Sequence, residues 1–164
     1  MPTPFESDIA DQPDALRAFM AEPVPGPLAQ VLRRDYGRIV LTGMGSSHYA
    51  ALPTWRRIVA TGRPTWWVDS GQLLDSPELI TPDTLLVMTS QSGASGEVVA
   101  LLDCVSPQAL VGVTNDPDSP LGRRSDVVVD LHSGSEATVS TKSYLNTLAA
   151  HQLVADIVAG ADLV

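Results

Sequence analysis

The sequence predicts an α/β protein in three layers, a five-stranded parallel sheet with helices on both faces. Five short runs are almost continuously apolar, as strands buried on both sides must be. Amphipathic, helix-length segments separate most of them, the alternation that builds parallel crossovers. Glycine- and serine-rich stretches come after several of the runs, where a strand has to turn into a helix.

The chain opens on an arm, residues 1–36, that differs in composition from the remainder. Five of the 19 acidic residues and five of the 13 prolines lie before Pro27. Residues 8–20 read as one helix, with Ile9, Leu16, Phe19 and Met20 on an apolar stripe and Pro13 in the first turn. The run Glu22-Pro-Val-Pro-Gly-Pro27 breaks it, and residues 28–36 read as a second short helix.

Residues 37–164 then read as a single domain. Its strands are Arg38-Ile-Val-Leu-Thr42, Thr65-Trp-Trp-Val-Asp69, Thr84-Leu-Leu-Val-Met-Thr89, Ala109-Leu-Val-Gly-Val-Thr114 and Val127-Val-Val-Asp-Leu131. Helices are expected over 50–61, 71–75 and 96–105, and from Lys142 onward. The last carries Leu145, Leu148, Ala149, Leu153, Ile157 and Val158 on one broad face. In such sheets ligands sit at the carboxyl ends of strands, where the strand order reverses.

Composition narrows the function. With 44% apolar and 18% charged residues the chain is globular, and its formal charge of −9 repels nucleic acid and anionic membrane surfaces. Neither is an expected partner. One cysteine, Cys104, allows no internal disulfide, and His48, His132 and His151 have no metal-ligand spacing, so neither metal nor cofactor is expected. The first 20 residues lack a basic segment followed by an apolar one, and no stretch reaches membrane-spanning length, which makes the cytoplasm the expected location.

Three strand-end loops share one chemistry of small residues, hydroxyls and backbone amides. Gly43-Met-Gly-Ser-Ser47 places glycines between a strand and a helix amino terminus, an anion cradle. It lacks the third glycine of a dinucleotide loop and the Gly-Lys-Ser/Thr of a Walker loop. A tight turn explains it equally well. Ser90-Gln-Ser-Gly-Ala-Ser95 offers three hydroxyls and an amide, a set able to hold phosphate and sugar oxygens without charge. Ser92 or Ser95 would also cap the following helix. In the third segment, Gly134 to Lys142, Ser140 or Thr141 would cap the last helix. Lys142, the only lysine beside nine arginines, falls in its first turn, where a cation opposes the helix dipole. Either a specific role or arginine-biased composition accounts for it.

Together these loops resemble the SIS (sugar isomerase) domain, most closely the isomerase half of glucosamine-6-phosphate synthase and related phosphosugar isomerases and deaminases. Ile9-Ala-Asp-Gln-Pro-Asp-Ala-Leu16 is similar to the helix that opens those regions. Gly43-Met-Gly-Ser-Ser-His-Tyr-Ala-Ala51, Ser90-Gln-Ser-Gly93, Thr114-Asn-Asp-Pro-Asp-Ser-Pro-Leu121 and Ser140-Thr-Lys142 occur in the family's order. The resemblance implies a flavodoxin-like sheet that binds a phosphorylated hexose or amino sugar. By position, Ser90, Ser92 and Ser95 would hold the phosphate with Gln91 beside them. Gly45, Ser46 and Ser47 would line the opposite wall, and Thr138 and Ser140 would approach the sugar.

Two details depart from the family. Ala94 stands where it commonly has Glu, and the run 136–140 is one residue short. The family's two-domain isomerases draw their proton-transferring groups from a second SIS domain and a carboxyl-terminal tail, and neither is expected in this chain. Among Glu97, Glu136, His48 and His151 no catalytic base is assigned; Glu97 and His151 are expected on exposed helix faces, His48 and Glu136 nearer the site. The resulting expectations are a half-enzyme completed by a second SIS domain or by a homodimer, or else a non-catalytic phosphosugar sensor. The aromatic pair Trp66-Trp67, expected to be exposed, and the apolar arm, expected to be detached, motivate the dimer.

Overall fold

The computed structural model describes residues 1–137 and 139–160. The arm folds into α1 (Pro4–Ala10), α2 (Gln12–Ala21) and α3 (Gly26–Leu32). The single helix expected over 8–20 is thus two. Pro13 has no N–H to donate to the Ile9 carbonyl, so the ladder is interrupted and Pro13 falls in the first turn of α2. Thr3 starts α1 with a reciprocal cap: its hydroxyl accepts from the Glu6 amide, and its own amide donates to the Glu6 carboxylate.

Next come β1 (Arg38–Gly43), α4 (Ser46–Ala50), α5 (Leu52–Val59), β2 (Thr65–Asp69), α6 (Ser70–Asp75) and β3 (Thr84–Thr89). The helix expected over 50–61 corresponds to α5, and α4 is an added turn before it: Pro53 cannot donate to Tyr49 and sits in the first turn of α5. A 3₁₀ turn, Pro77–Leu79, precedes β3. The chain continues through α7 (Gly96–Cys104), β4 (Ala109–Thr114), α8 (Pro120–Arg124), β5 (Val127–Asp130) and α9 (Lys142–Val158). Sequence patterning misses α8, a single turn capped by the Ser119 hydroxyl.

The five strands are all parallel, in the order β2-β1-β3-β4-β5. Alternate residues of each strand feed opposite layers. Leu85 and Val87 pack with α3, α5 and α9, through Leu28, Leu32, Ile58, Val154 and Ile157. Leu86 and Met88 pack with α6, α7 and α8, through Leu73, Val98, Leu101 and Leu121. Strand order reverses between β1 and β3, and a crevice therefore opens beyond their carboxyl ends. Among the described residues, no helix is long and apolar enough to cross a membrane.

The arm rests on the α9 side of the sheet. Leu28, Val31 and Leu32 are core residues, Phe19 packs against the same core cluster, and the buried Asn146 amide of α9 donates to the Ala15 and Leu131 carbonyls. Of the aromatic pair on edge strand β2, only Trp66 is exposed, with the Arg38 guanidinium 4.5 Å from its ring centre. Trp67 is half-buried, its ring stacked on His48 at 4.1 Å.

Candidate functional site

A small cavity of about 170 Å³ occupies the crevice between β1 and β3. Met44 and Ser47 form one wall; Thr89, Ser90, Gln91, Ser92 and Ser95 form the other. No lining residue carries a charge. The available chemistry is that of hydroxyls, an amide side chain and the amino end of α7.

The loop 90–95 is tied down by its carbonyls. The Gln91 carbonyl accepts from the Asn115 amide at 3.0 Å and the Thr114 hydroxyl at 3.3 Å, and the Gly93 carbonyl accepts from the Leu121 amide at 3.0 Å. At Gly93, φ is +60°, and a Cβ there would lie 1.9 Å from the Ser119 hydroxyl oxygen. Only glycine allows β4 and α8 to approach so closely.

Ser95 stands at the N-cap position of α7 in extended conformation, yet its hydroxyl makes no capping bond. That hydroxyl oxygen is buried and has no partner among the described residues. Ser92, exposed, accepts a long 3.3 Å bond from the Ala94 amide. Neither serine caps the helix in the way helix signals suggest. Uncapped amides and a free hydroxyl at the amino end of a nine-residue helix form a favourable environment for an anion.

Of the expected site residues, Ser47, Ser90, Gln91, Ser92 and Ser95 are brought together around this cavity. Gly45 and Ser46 are exposed at the start of α4 and do not line it. Gly45 has φ +52° with ψ −123°, and nothing lies within 4 Å of where a Cβ would stand, so conformation alone selects glycine there. Ser140 is exposed in the loop before α9, outside the cavity lining, and Thr138 lies outside the described residues.

The four candidate bases are all engaged elsewhere or away from the lining. His151, expected on an exposed face, is buried in α9, with Nε2 3.0 Å from the Thr89 hydroxyl. Burial lowers its pKa to about 4, and it is neutral at pH 7. A period-3.6 reading gives no hint of this, because α9 is covered on two sides, by α4 and α5 and by the arm. His48 is stacked on Trp67, whose indole N–H donates to the His48 carbonyl at 2.8 Å; burial lowers its pKa against an opposing pull from Asp69. Glu97 is half-buried in the first turn of α7.

Glu136 performs the capping expected of Ser140 or Thr141. Its carboxylate accepts from the Thr141 amide and hydroxyl at 2.6 and 3.0 Å, and from the Ser143 amide at 3.1 Å and the Ser143 hydroxyl. Burial raises its pKa, but these bonds from Ser143 and Thr141 outweigh it and hold the carboxyl below its ordinary value. Lys142 is 8% exposed, with Nζ 3.1 Å from Asp8, 3.9 Å from Asp11 and donating to the Ser135 carbonyl at 2.9 Å. A buried, paired lysine is not an arbitrary surface cation. Sequence reasoning misses its acidic partners because they lie at the far end of the chain.

A larger groove of about 520 Å³ runs between α2, β5 and α9, lined by Phe19, Met20, Val24, Val128 and Leu153 among others. It is mostly apolar, and no residue of the loops 43–47 and 90–95 lines it. Chemistry rather than size selects the smaller cavity.

The SIS domain family matches residues 33–156, which include every strand and the whole cavity. The chain belongs to the SIS domain family. Arabinose 5-phosphate isomerase KdsD of Francisella tularensis is 32% identical over 107 residues, 63% of this chain and 33% of the relative. Glutamine–fructose-6-phosphate aminotransferase of Pyrococcus horikoshii is 29% identical over 154 residues, 90% of this chain and 26% of the relative. This SIS chain therefore spans about a third or less of those curated relatives. Among solved structures, an Escherichia coli CFT073 protein in a phosphosugar complex superposes with a TM-score of 0.82 at 22% identity, covering 93% of this chain and 86% of that one. The Vibrio vulnificus NanR protein complexed with ManNAc-6P gives 0.74 at 17% identity, covering 93% and 61%. These likenesses carry the fold.

Proposed function

We infer that this SIS domain binds a phosphorylated sugar, a hexose or amino-sugar 6-phosphate or a related pentose phosphate, as half of an aldose–ketose isomerase or deaminase-type protein. The observation that carries the reading is the Ser95 hydroxyl, buried and unpartnered among the described residues, at a cavity wall otherwise made of neutral donors. An unsatisfied buried hydroxyl is costly, and a phosphoryl oxygen would satisfy it. Ser90, Ser92 and Ser95, with Gln91, would receive the phosphate, and Ser47 would face them. At about 170 Å³ the cavity suits a phosphoryl group and its first carbons; by the resemblance, Thr138 and Ser140 would approach the sugar beyond it. Gly45 and Ser46 would shape the α4 turn without touching phosphate.

Isomerisation through an enediol requires a base within hydrogen-bond reach of the carbonyl. No residue lining the cavity is a titratable base, so the base would come from a second SIS domain or from a second copy of this chain in a homodimer, in the cytoplasm. The same absence favours a second reading, a phosphosugar-sensing module; the NanR protein, complexed with ManNAc-6P, has a similar fold. On either reading residues 37–164 are the ligand-binding domain and residues 1–36 its arm.

The test is thermal denaturation with arabinose 5-phosphate, fructose 6-phosphate, glucosamine 6-phosphate and NAD. A rise in Tm with a sugar phosphate but not with NAD supports the reading; no shift with any of them rejects it. Turnover by the isolated chain would mean that it holds its own base. Light scattering distinguishes a dimer from a monomer.

A further inference from the structure

The loop from Leu131 to Thr141 links β5 to α9, with no helix or strand among its described residues. Its start is held by Asn115, whose side chain accepts from the Ser133 amide and hydroxyl and donates to the Gly134 carbonyl. Its end is held by Glu136 on the amino terminus of α9. The middle is held from outside the domain, by the arm. One Asp8 carboxylate oxygen accepts from the Ala137 amide at 2.8 Å; the other lies 3.1 Å from Lys142 Nζ, which donates to the Ser135 carbonyl. Gln12 adds a 3.2 Å bond from its side-chain amide to the Thr141 carbonyl.

We propose that Asp8 is a positioning residue for the sugar-facing loop, so that the amino-terminal arm forms part of the phosphosugar site. This rests on the sugar-phosphate reading above. Two observations separate it from simple docking of the arm. First, the arm is already anchored by the apolar contacts of Leu28, Val31, Leu32 and Phe19 and by the Asn146 bond to Ala15, none of which involves residues 135–137. Second, Asp8 and Lys142 are only 7% and 8% exposed. Desolvating both charges offsets most of their attraction, so the pair is a poor source of net stability and a good source of fixed geometry. The Ala137 amide first, and Lys142 second, hold the Asp8 carboxyl below its ordinary pKa, so it stays charged at neutral pH.

Asp8→Asn is the informative variant. It keeps the shape of the side chain but places an N–H group against either the Ala137 amide or the Lys142 ammonium, whichever way the carboxamide turns. Inorganic phosphate, held by loop 90–95 alone, should bind the variant as it binds the wild type. Arabinose 5-phosphate or glucosamine 6-phosphate should bind about tenfold more weakly. Amide hydrogen exchange should accelerate in residues 133–137 and 139–141 and stay unchanged in residues 84–95. Wild-type sugar affinity together with wild-type exchange in that loop would overturn the proposal, as would equal losses for phosphate and sugar phosphate. If Asp8→Asn does not fold, Gln12→Ala is read by the same two measurements. A wild type that binds no sugar phosphate defeats the function proposed above, and loop exchange in the variant still decides the role of Asp8.

Discussion

His151 Nε2 lies 3.0 Å from the Thr89 hydroxyl, joining the interior of α9 to the last residue of the strand that enters the serine loop. Thr89 is fully buried and lines the cavity, and His151 Nδ1 has no partner among the described residues. A neutral imidazole satisfies Thr89 with one nitrogen. An imidazolium would add a second buried donor with nothing to receive it.

Stability should therefore depend on pH through His151. Its folded pKa of about 4 lies below that of an unfolded histidine, about 6.5, so between these values the unfolded chain binds the extra proton. The stabilisation is complete above about pH 6.5 and falls as pH drops toward 4, by roughly 3 kcal/mol over the interval. Urea titrations across this range should show the decline in wild type. His151→Gln, which donates but takes no proton, should flatten it. Equal slopes in the two proteins would remove His151 as the cause.

Ser95→Ala removes a hydroxyl that makes no bond to the described residues. Because that hydroxyl is unsatisfied without ligand, the ligand-free variant should be as stable as wild type or more stable, by up to about 1 kcal/mol, while phosphosugar affinity, read by calorimetry, should fall about tenfold. A substantial loss of stability with unchanged affinity would return Ser95 to a structural role.

Gly93→Ala should act in the opposite sense. The added Cβ meets Ser119 and Thr114, at a backbone angle unfavourable to any other residue. Overpacking and left-handed strain should together cost roughly 2 kcal/mol or more and displace loop 90–95. Denaturation midpoints and ligand binding should decline together.

Glu136→Ala tests whether the carboxylate organises the start of α9. Loss of this cap should cost roughly 1–2 kcal/mol at neutral pH. Because the folded pKa is lowered, the wild-type advantage exists above the ordinary carboxylate range and disappears as pH falls through the lowered value. The two proteins should converge in stability at strongly acid pH. A constant difference at all pH values would show that packing, not charge, is lost.

The sheet is legible in the sequence because its strands announce themselves locally. Thr84–Thr89 and Ala109–Thr114 are buried at every position, and a central parallel strand is the simplest source of such runs. The serine loop is legible as a strand-to-helix turn rich in hydroxyls, but its sequence equally suggests helix caps, which the Ser95 hydroxyl does not form. Pro13 and Pro53 are equally visible, but each ends one helix and opens another by what it withholds from a carbonyl four residues earlier. Glu136, Lys142 and His151 are unreadable on other grounds. Glu136 reaches over a short irregular loop, Lys142 meets an acid in the first helix of the arm, and His151 lies on a helix face covered by separate elements. Residue type is local information; burial is not.

The burial of Lys142 has a chemical consequence. Reducing sugars condense with unprotonated, accessible primary amines, and this chain holds a single ε-amino group. That group faces Asp8 and the Ser135 carbonyl beneath the arm, with 8% of the residue exposed. All nine arginine side chains are guanidinium groups, which remain protonated. A protein proposed to handle aldose phosphates thus keeps its one lysine out of reach of the aldehydes it would meet, and glycation has little purchase on its side chains.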